Sequence, residues 1–271
     1  MDKKLELELI EEVKKRPFTL MNLSEQTERI CLEAVRKDGY TLEYVKNQTP
    51  KICLKAVKNN GYALSFVKKQ TEKICSEAVK RQGRALRYVK DQTEEICLEA
   101  VKNDGLALEF VKDQTDAICL EAVKNNGDAL AYVKNQTDEI CLEAVREEGL
   151  ALEFVNGQTE KICLEAVRNN GHALEYVKKQ TPEICLEAVR SNGDALVYVK
   201  EDILNTDEHF IKDCEYKNIY VNKIDGVWLF SIGCQNNITK EEFIKRIHET
   251  NGGLNKNPHR QEYLDFLEKF N

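Results

Sequence analysis

A chain of 271 residues with 42% hydrophobic and 32% charged side chains, but only 4 Pro and 13 Gly, can bury a sizeable core and is too poor in Pro and Gly for bulk disorder or a collagen-like fibre. Its net charge is −7, and no stretch approaches the ~18 consecutive apolar residues of a membrane helix. The start, Met1-Asp2-Lys3-Lys4-Leu5-Glu6, lacks the apolar core of a signal peptide, so the ten cysteines are expected as reduced thiols in the cytoplasm, with no membrane association.

Residues 1–25 read as an N-terminal cap, in which Pro17-Phe18-Thr19-Leu20-Met21-Asn22-Leu23 has the shape of the second half of a degenerate repeat. The pair Gln-Thr then recurs every 22 residues from Gln26-Thr27 to Gln180-Thr181, giving eight copies over residues 26–201 without an insertion. Each copy reads Q-T-x-x-I-C-L-E-A-V-K-x-N-G-x-A-L-x-Y/F-V-K-x. Thr is a good N-cap and Pro50 and Pro182 stand at first helical positions, so a helix starts there and runs through I-C-L-E-A-V-K. The glycine that follows is expected to close it in the left-handed conformation. A second helix of about two turns, A-L-x-Y-V-K, completes the repeat. The first helix is apolar over roughly 200°, wider than the ~100° stripe of a surface helix, so successive repeats must stack around a shared core. The fold class is therefore an all-α solenoid of eight 22-residue helix-turn-helix repeats with a small α+β C-terminal capping segment.

That segment, residues 202–271, breaks the period. Asp225-Gly226 between Ile219–Ile224 and Val227–Ile232 predicts a two-residue β-hairpin turn. Thr239-Lys240-Glu241-Glu242 is a capping box opening a helix that ends at Gly252-Gly253, and Asn257-Pro258 starts a last helix. A lone hairpin is marginal, so the strands are expected to pack on these helices and on the last repeat.

Repeats such as Gln180 to Val199, with Gln180-Thr181-Pro182-Glu183-Ile184-Cys185-Leu186-Glu187-Ala188-Val189 at their start, resemble an uncharacterised short helical-repeat family abundant in giant DNA viruses of the mimivirus type and in some bacteria. The tail, with Trp228 to Cys234 and Gly252-Gly253, is similar to segments of the same viral proteins. The resemblance implies a helical-repeat fold and a source, hence action in a host cytoplasm, but no activity and no catalytic residue.

Eight cysteines stand in register, from Cys31 to Cys185. One ligand per repeat cannot converge on a zinc ion, and helices 8–10 Å apart are too distant for disulfides, so these are core residues. The Gln ladder reads as side-chain amides bonding backbone between repeats. Cys214 or Cys234 with His248 or His259 has no catalytic spacing, and His259-Arg260 at a helix start reads as a solvated first turn. No catalytic, cofactor-binding or metal residue is assigned. Charge is the informative feature: residues 48–91 hold eleven Lys/Arg and three Asp/Glu, whereas residues 92–201 hold eleven and twenty-two. Lys55 replaces the consensus Glu; with Lys51, Lys58, Lys73, Lys80, Arg81, Arg84 and Arg87 it is expected to form one basic surface. The sequence thus predicts a non-enzymatic scaffold for a protein partner that is acidic at its contact surface. Nucleic-acid binding through the same residues is the alternative, and an enzyme sited in the tail the third reading.

Overall fold

The computed structural model describes residues 2–200, 203, 210–212, 219–224, 227–232, 235–239 and 241. An α-helix and a 3-10 helix alternate along it. The first pair is α1 (Lys3–Lys15) and η1 (Pro17–Asn22). The eight repeats then supply α2 (Glu28–Lys37) and η2 (Gly39–Tyr44), α3 (Pro50–Asn59) and η3 (Gly61–Phe66), α4 (Glu72–Arg81) and η4 (Gly83–Tyr88), α5 (Glu94–Asn103) and η5 (Gly105–Phe110), α6 (Asp116–Asn125) and η6 (Gly127–Tyr132), α7 (Asp138–Glu147) and η7 (Gly149–Phe154), α8 (Glu160–Asn169) and η8 (Gly171–Tyr176), and α9 (Pro182–Ser191) and η9 (Gly193–Tyr198). This is the all-α solenoid expected from the repeat. The chain forms two compact bodies, Met1–Ala144 and Val145–Asn271.

In the first body each α-helix from α1 to α5 packs on the next, and α1 to α6 pack on the 3-10 helices beside them. Thr accepts from the backbone N–H three residues on, as in Thr49 from Ile52 at 3.3 Å, which satisfies one of the free donors of the first turn. Ile52, Cys53, Ala56 and Val57 are buried from α3, and Ala63, Leu64 and Val67 from the η3 side; the other repeats bury the equivalent set, except that Thr41 stands for Ala in the first and Leu196 is half-buried in the last. These buried faces meet, so the core of this body lies between the two layers and continues from repeat to repeat.

The second helix of each repeat is a tighter object than the α-helix expected. It starts at the glycine rather than at Ala, and its bonds run from residue i+3, as in Ala63 N–H to Asn60 O at 3.0 Å and Val67 N–H to Leu64 O at 3.1 Å. Three residues per turn put Gly61, Leu64 and Val67 along one edge, all buried. Nor is the glycine left-handed. A Cβ built on Gly39 would stand 2.6 Å from the Ala56 carbonyl of the next repeat, so glycine is required by close approach of two backbones. The preceding Asn60, extended at φ −144, caps the 3-10 helix by accepting from Tyr62 N–H at 3.0 Å.

At the N-terminus the partial repeat is structurally whole: α1 and η1 take the same two places against α2 that one repeat takes against the next, with Ile10, Val13 and Leu20 buried. In the second body a four-stranded antiparallel sheet, order β1-β2-β3-β4, is built from β1 (Phe210–Lys212), β2 (Ile219–Ile224), β3 (Val227–Ile232) and β4 (Gln235–Thr239). Ile224 pairs with Val227, leaving the two-residue connection expected at Asp225-Gly226. The hairpin is thus extended by one strand on each side, neither of them expected. β2 and β4 pack against α9, and β4 against η9. Leu186 of α9 is buried there, while its counterparts in other repeats are half-buried. The helices expected from Thr239 and Asn257-Pro258 lie outside the described residues.

Candidate functional site

The interior of the solenoid is closed chemistry. The repeat Gln spans a seam within each body: Gln48 Nε2 donates to Phe66 O at 2.8 Å, and its Oε1 accepts from Lys68 N–H at 3.0 Å and from the Cys53 thiol at 3.8 Å. The Gln ladder is the structural stack its spacing suggests. The eight cysteines of the repeats are free and buried. Burial pushes the Cys31 thiol up to about 11 and raises those of Cys53, Cys75, Cys97, Cys119, Cys141 and Cys163, which removes the thiolate a nucleophile needs. Among the described residues no group of three or more His, Cys, Asp or Glu is placed to hold a metal ion. Cys214, Cys234, His209, His248, His259 and Arg260 lie outside the described residues.

The outer face of the α-helices is where the repeats differ. The same ion pair recurs at seams among the described residues, with the basic residue near the end of one helix reaching the glutamate nineteen residues on in the next. These pairs are Lys58–Glu77 at 3.7 Å, Lys80–Glu99 at 2.9 Å, Arg146–Glu165 at 3.0 Å and Arg168–Glu187 at 3.1 Å. At the seam of α2 and α3 the two members of this pair are Arg36 and Lys55. Both are cations. Arg36 accordingly turns back onto Glu33 of its own helix at 2.8 Å, and among the described residues Lys55 forms no ion pair.

An open groove of about 640 Å³ lies over this seam, lined by Leu32, Glu33 and Arg36 of α2, Lys51, Leu54, Lys55 and Lys58 of α3, and Lys73 of α4. Its floor is the half-buried pair Leu32 and Leu54; its rim carries five cations and one carboxylate. Lys51 is 70% exposed and 3.9 Å from Glu28, too exposed and too long a contact to neutralise it.

Of the eight residues singled out in the sequence, the groove brings together Lys51, Lys55, Lys58 and Lys73. Lys80 stands further along, held to Glu99, whose hydrogen bond and charge raise its pKa. Arg81 ends α4. Arg84 and Arg87 belong to the other layer, on η4, so the eight do not form the single surface expected: Arg84 Nε donates to Asp104 at 2.9 Å, and the Arg87 guanidinium lies 5.5 Å from the Tyr88 ring centre and 5.2 Å from that of Phe110. Sequence reasoning missed Leu32, Glu33, Leu54 and Arg36. The signal was present, because Lys55 replaces Glu, but its meaning depends on knowing that residue i faces residue i+19 across a seam.

A stacked array with a closed core and a variable outer face is a helical-repeat scaffold. The chain belongs to the family described as Domain of unknown function (DUF4116), which it matches over residues 27–71, 49–92, 71–115, 93–136, 137–180 and 159–204. Each match spans two repeats, and successive matches begin one or two repeats apart. No curated protein and no solved structure matches the chain. No helix among the described residues is long and apolar enough to cross a membrane.

Proposed function

We propose that the protein is a non-enzymatic scaffold that binds a protein partner through an acidic surface, using the groove over α2, α3 and α4. The observation that carries this reading is the replacement of an inter-repeat ion pair by two cations, Arg36 and Lys55, in the middle of a rim that Lys51, Lys58 and Lys73 make still more basic. Two cations facing each other where other seams pair a cation with Glu, with Lys55 in no ion pair among the described residues, cost stability, and a folded chain retains them most readily where a partner supplies the missing anion. The proposal places the action in the cytoplasm and, on the resemblance to giant-virus repeats, makes a host protein the partner.

The test is capture from an extract, with and without nuclease treatment, by the wild type and by Lys55→Glu/Lys73→Glu. A partner should be retained by the wild type at 0.1 M salt, released as the Debye length shrinks from ~10 Å towards ~3 Å at 1 M, and missed by the variant. Equal retention by both proteins would refute the assignment, and retention abolished by the nuclease would transfer it to nucleic acid.

A further inference from the structure

We infer that the occupant of the groove is an acidic amphipathic α-helix of the partner, lying across α2 and α3 with apolar side chains on Leu32 and Leu54 and carboxylates on Arg36, Lys51, Lys55, Lys58 and Lys73. This rests on the reading above and specifies its partner.

A purely ionic surface would need no apolar floor, yet the cations here surround two half-buried leucines. Lys51, Lys55 and Lys58 are spaced i, i+4 and i+7, which stacks them on one face of α3 beside Leu54. Leu32 and Leu54 hold the same position in consecutive repeats, so they form two apolar steps separated by the spacing of packed helices, about 8–10 Å. On a helix laid across them, residues i and i+7 are separated by two turns on one face, about 10.5 Å at 1.5 Å per residue. An extended strand offers same-face residues about 6.6 Å or 13 Å apart and fits the steps less well. Beyond Leu54 the apolar row stops, because the third repeat carries Ser76 where its siblings carry Leu. The floor is therefore two steps long, which suits a short helix anchored at two or three positions in the groove-binding mode.

Three fluorescein-labelled probes test this against the full chain: a 14-residue acidic peptide with Leu at i, i+4 and i+7, the same peptide with those leucines replaced by Ser, and a random 20-nucleotide single strand. Fluorescence anisotropy at 0.1 M salt should show the leucine peptide binding about tenfold or more tighter than the serine peptide, about 1.4 kcal/mol. Lys55→Glu should weaken the leucine peptide at least tenfold. Leu54→Ser, a residue the third repeat already accommodates at this position, should weaken the leucine peptide and leave the serine peptide unchanged. Should both peptides bind equally and both respond to Lys55→Glu, the amphipathic helix is wrong and the acidic-partner reading survives. Absence of any peptide binding, or a nucleic-acid strand that binds more tightly than either peptide and is lost in Lys55→Glu, defeats both. If sedimentation of the protein alone rises with concentration and that rise vanishes in Lys55→Glu, the groove belongs to a second copy of the chain and the inference falls.

Discussion

A methyl group added to Gly83 would run into the Ala100 carbonyl and the Asp104 Cβ of the next repeat, whereas one added to Gly157 meets nothing within 4 Å. Neither glycine has the positive φ that would exclude a side chain. Gly83→Ala should therefore push two backbones apart and cost about 1–3 kcal/mol. Gly157→Ala should do the opposite, gaining about 0.4–1 kcal/mol by reducing the freedom of the unfolded chain. Denaturant midpoints of the two variants check both signs, and equal shifts would show that the contact is not what selects glycine. The sequence spacing marks Gly83 as the end of a helix but misassigns the cause. Its constraint comes from a carbonyl seventeen residues later, across a seam, and no local propensity reports that.

Between elements, four seams are fastened by the asparagine that ends α3, α5, α6 or α8. Asn103 Oδ1 accepts from Gly83 N–H at 2.6 Å while its Nδ2 donates to Lys80 O at 3.0 Å; Asn59, Asn125 and Asn169 make the same two bonds. At the seam of α3 and α4 this position is Arg81, which has donors only and no oxygen for the Gly61 N–H. The exposed Arg81→Asn should restore the bridge and raise stability by about 0.5–1.5 kcal/mol, read from thermal or denaturant melts; a fall would mean that Arg81 serves the seam in another way. Elements were legible where their signal was local. Thr before each α-helix and Asp225-Gly226 between two strands named their structures correctly. The six-residue 3-10 helices were misjudged because A-L-x-Y-V suits either helical period, and β4 escaped notice because Gln235-Asn236-Asn237-Ile238-Thr239 has no alternation of apolar and polar residues to mark a strand. The groove was half legible. Its lysines stood out by charge, but its leucines were indistinguishable from the row to which they belong.

Over the whole molecule, the thiols make a pH-dependent contribution that is small at each repeat and accumulates along the chain. Cys31 is raised in the fold from an unfolded value near 9.0 to about 11, and Cys53, Cys75, Cys97, Cys119, Cys141 and Cys163 are raised from the same value. The stability this represents is complete below pH 9 and is lost as pH rises through the raised values, because above 9 the unfolded chain releases thiol protons that the folded one retains. Melting temperature should be flat from pH 7 to 8.5 and fall between 9 and 11, more shallowly when Cys31 and Cys53 are replaced by Ala. A decline of identical slope in that variant would assign the loss to other groups.

The bonds that cross the seams are separated by fixed numbers of residues: Gln48 reaches Phe66 O at eighteen and receives from Lys68 N–H at twenty, and Lys68 Nζ reaches Lys46 O at twenty-two. Removing or inserting a whole number of repeats re-creates these separations between the new neighbours, while a change of any other length breaks those that span it. Misaligned recombination between copies of such a gene would thus yield folded products only in whole-repeat steps, so that array length is free to drift while the interior of each repeat is held nearly constant. A docking groove made by two neighbouring departures from the consensus can then be carried along, duplicated or lost without the rest of the molecule being redesigned.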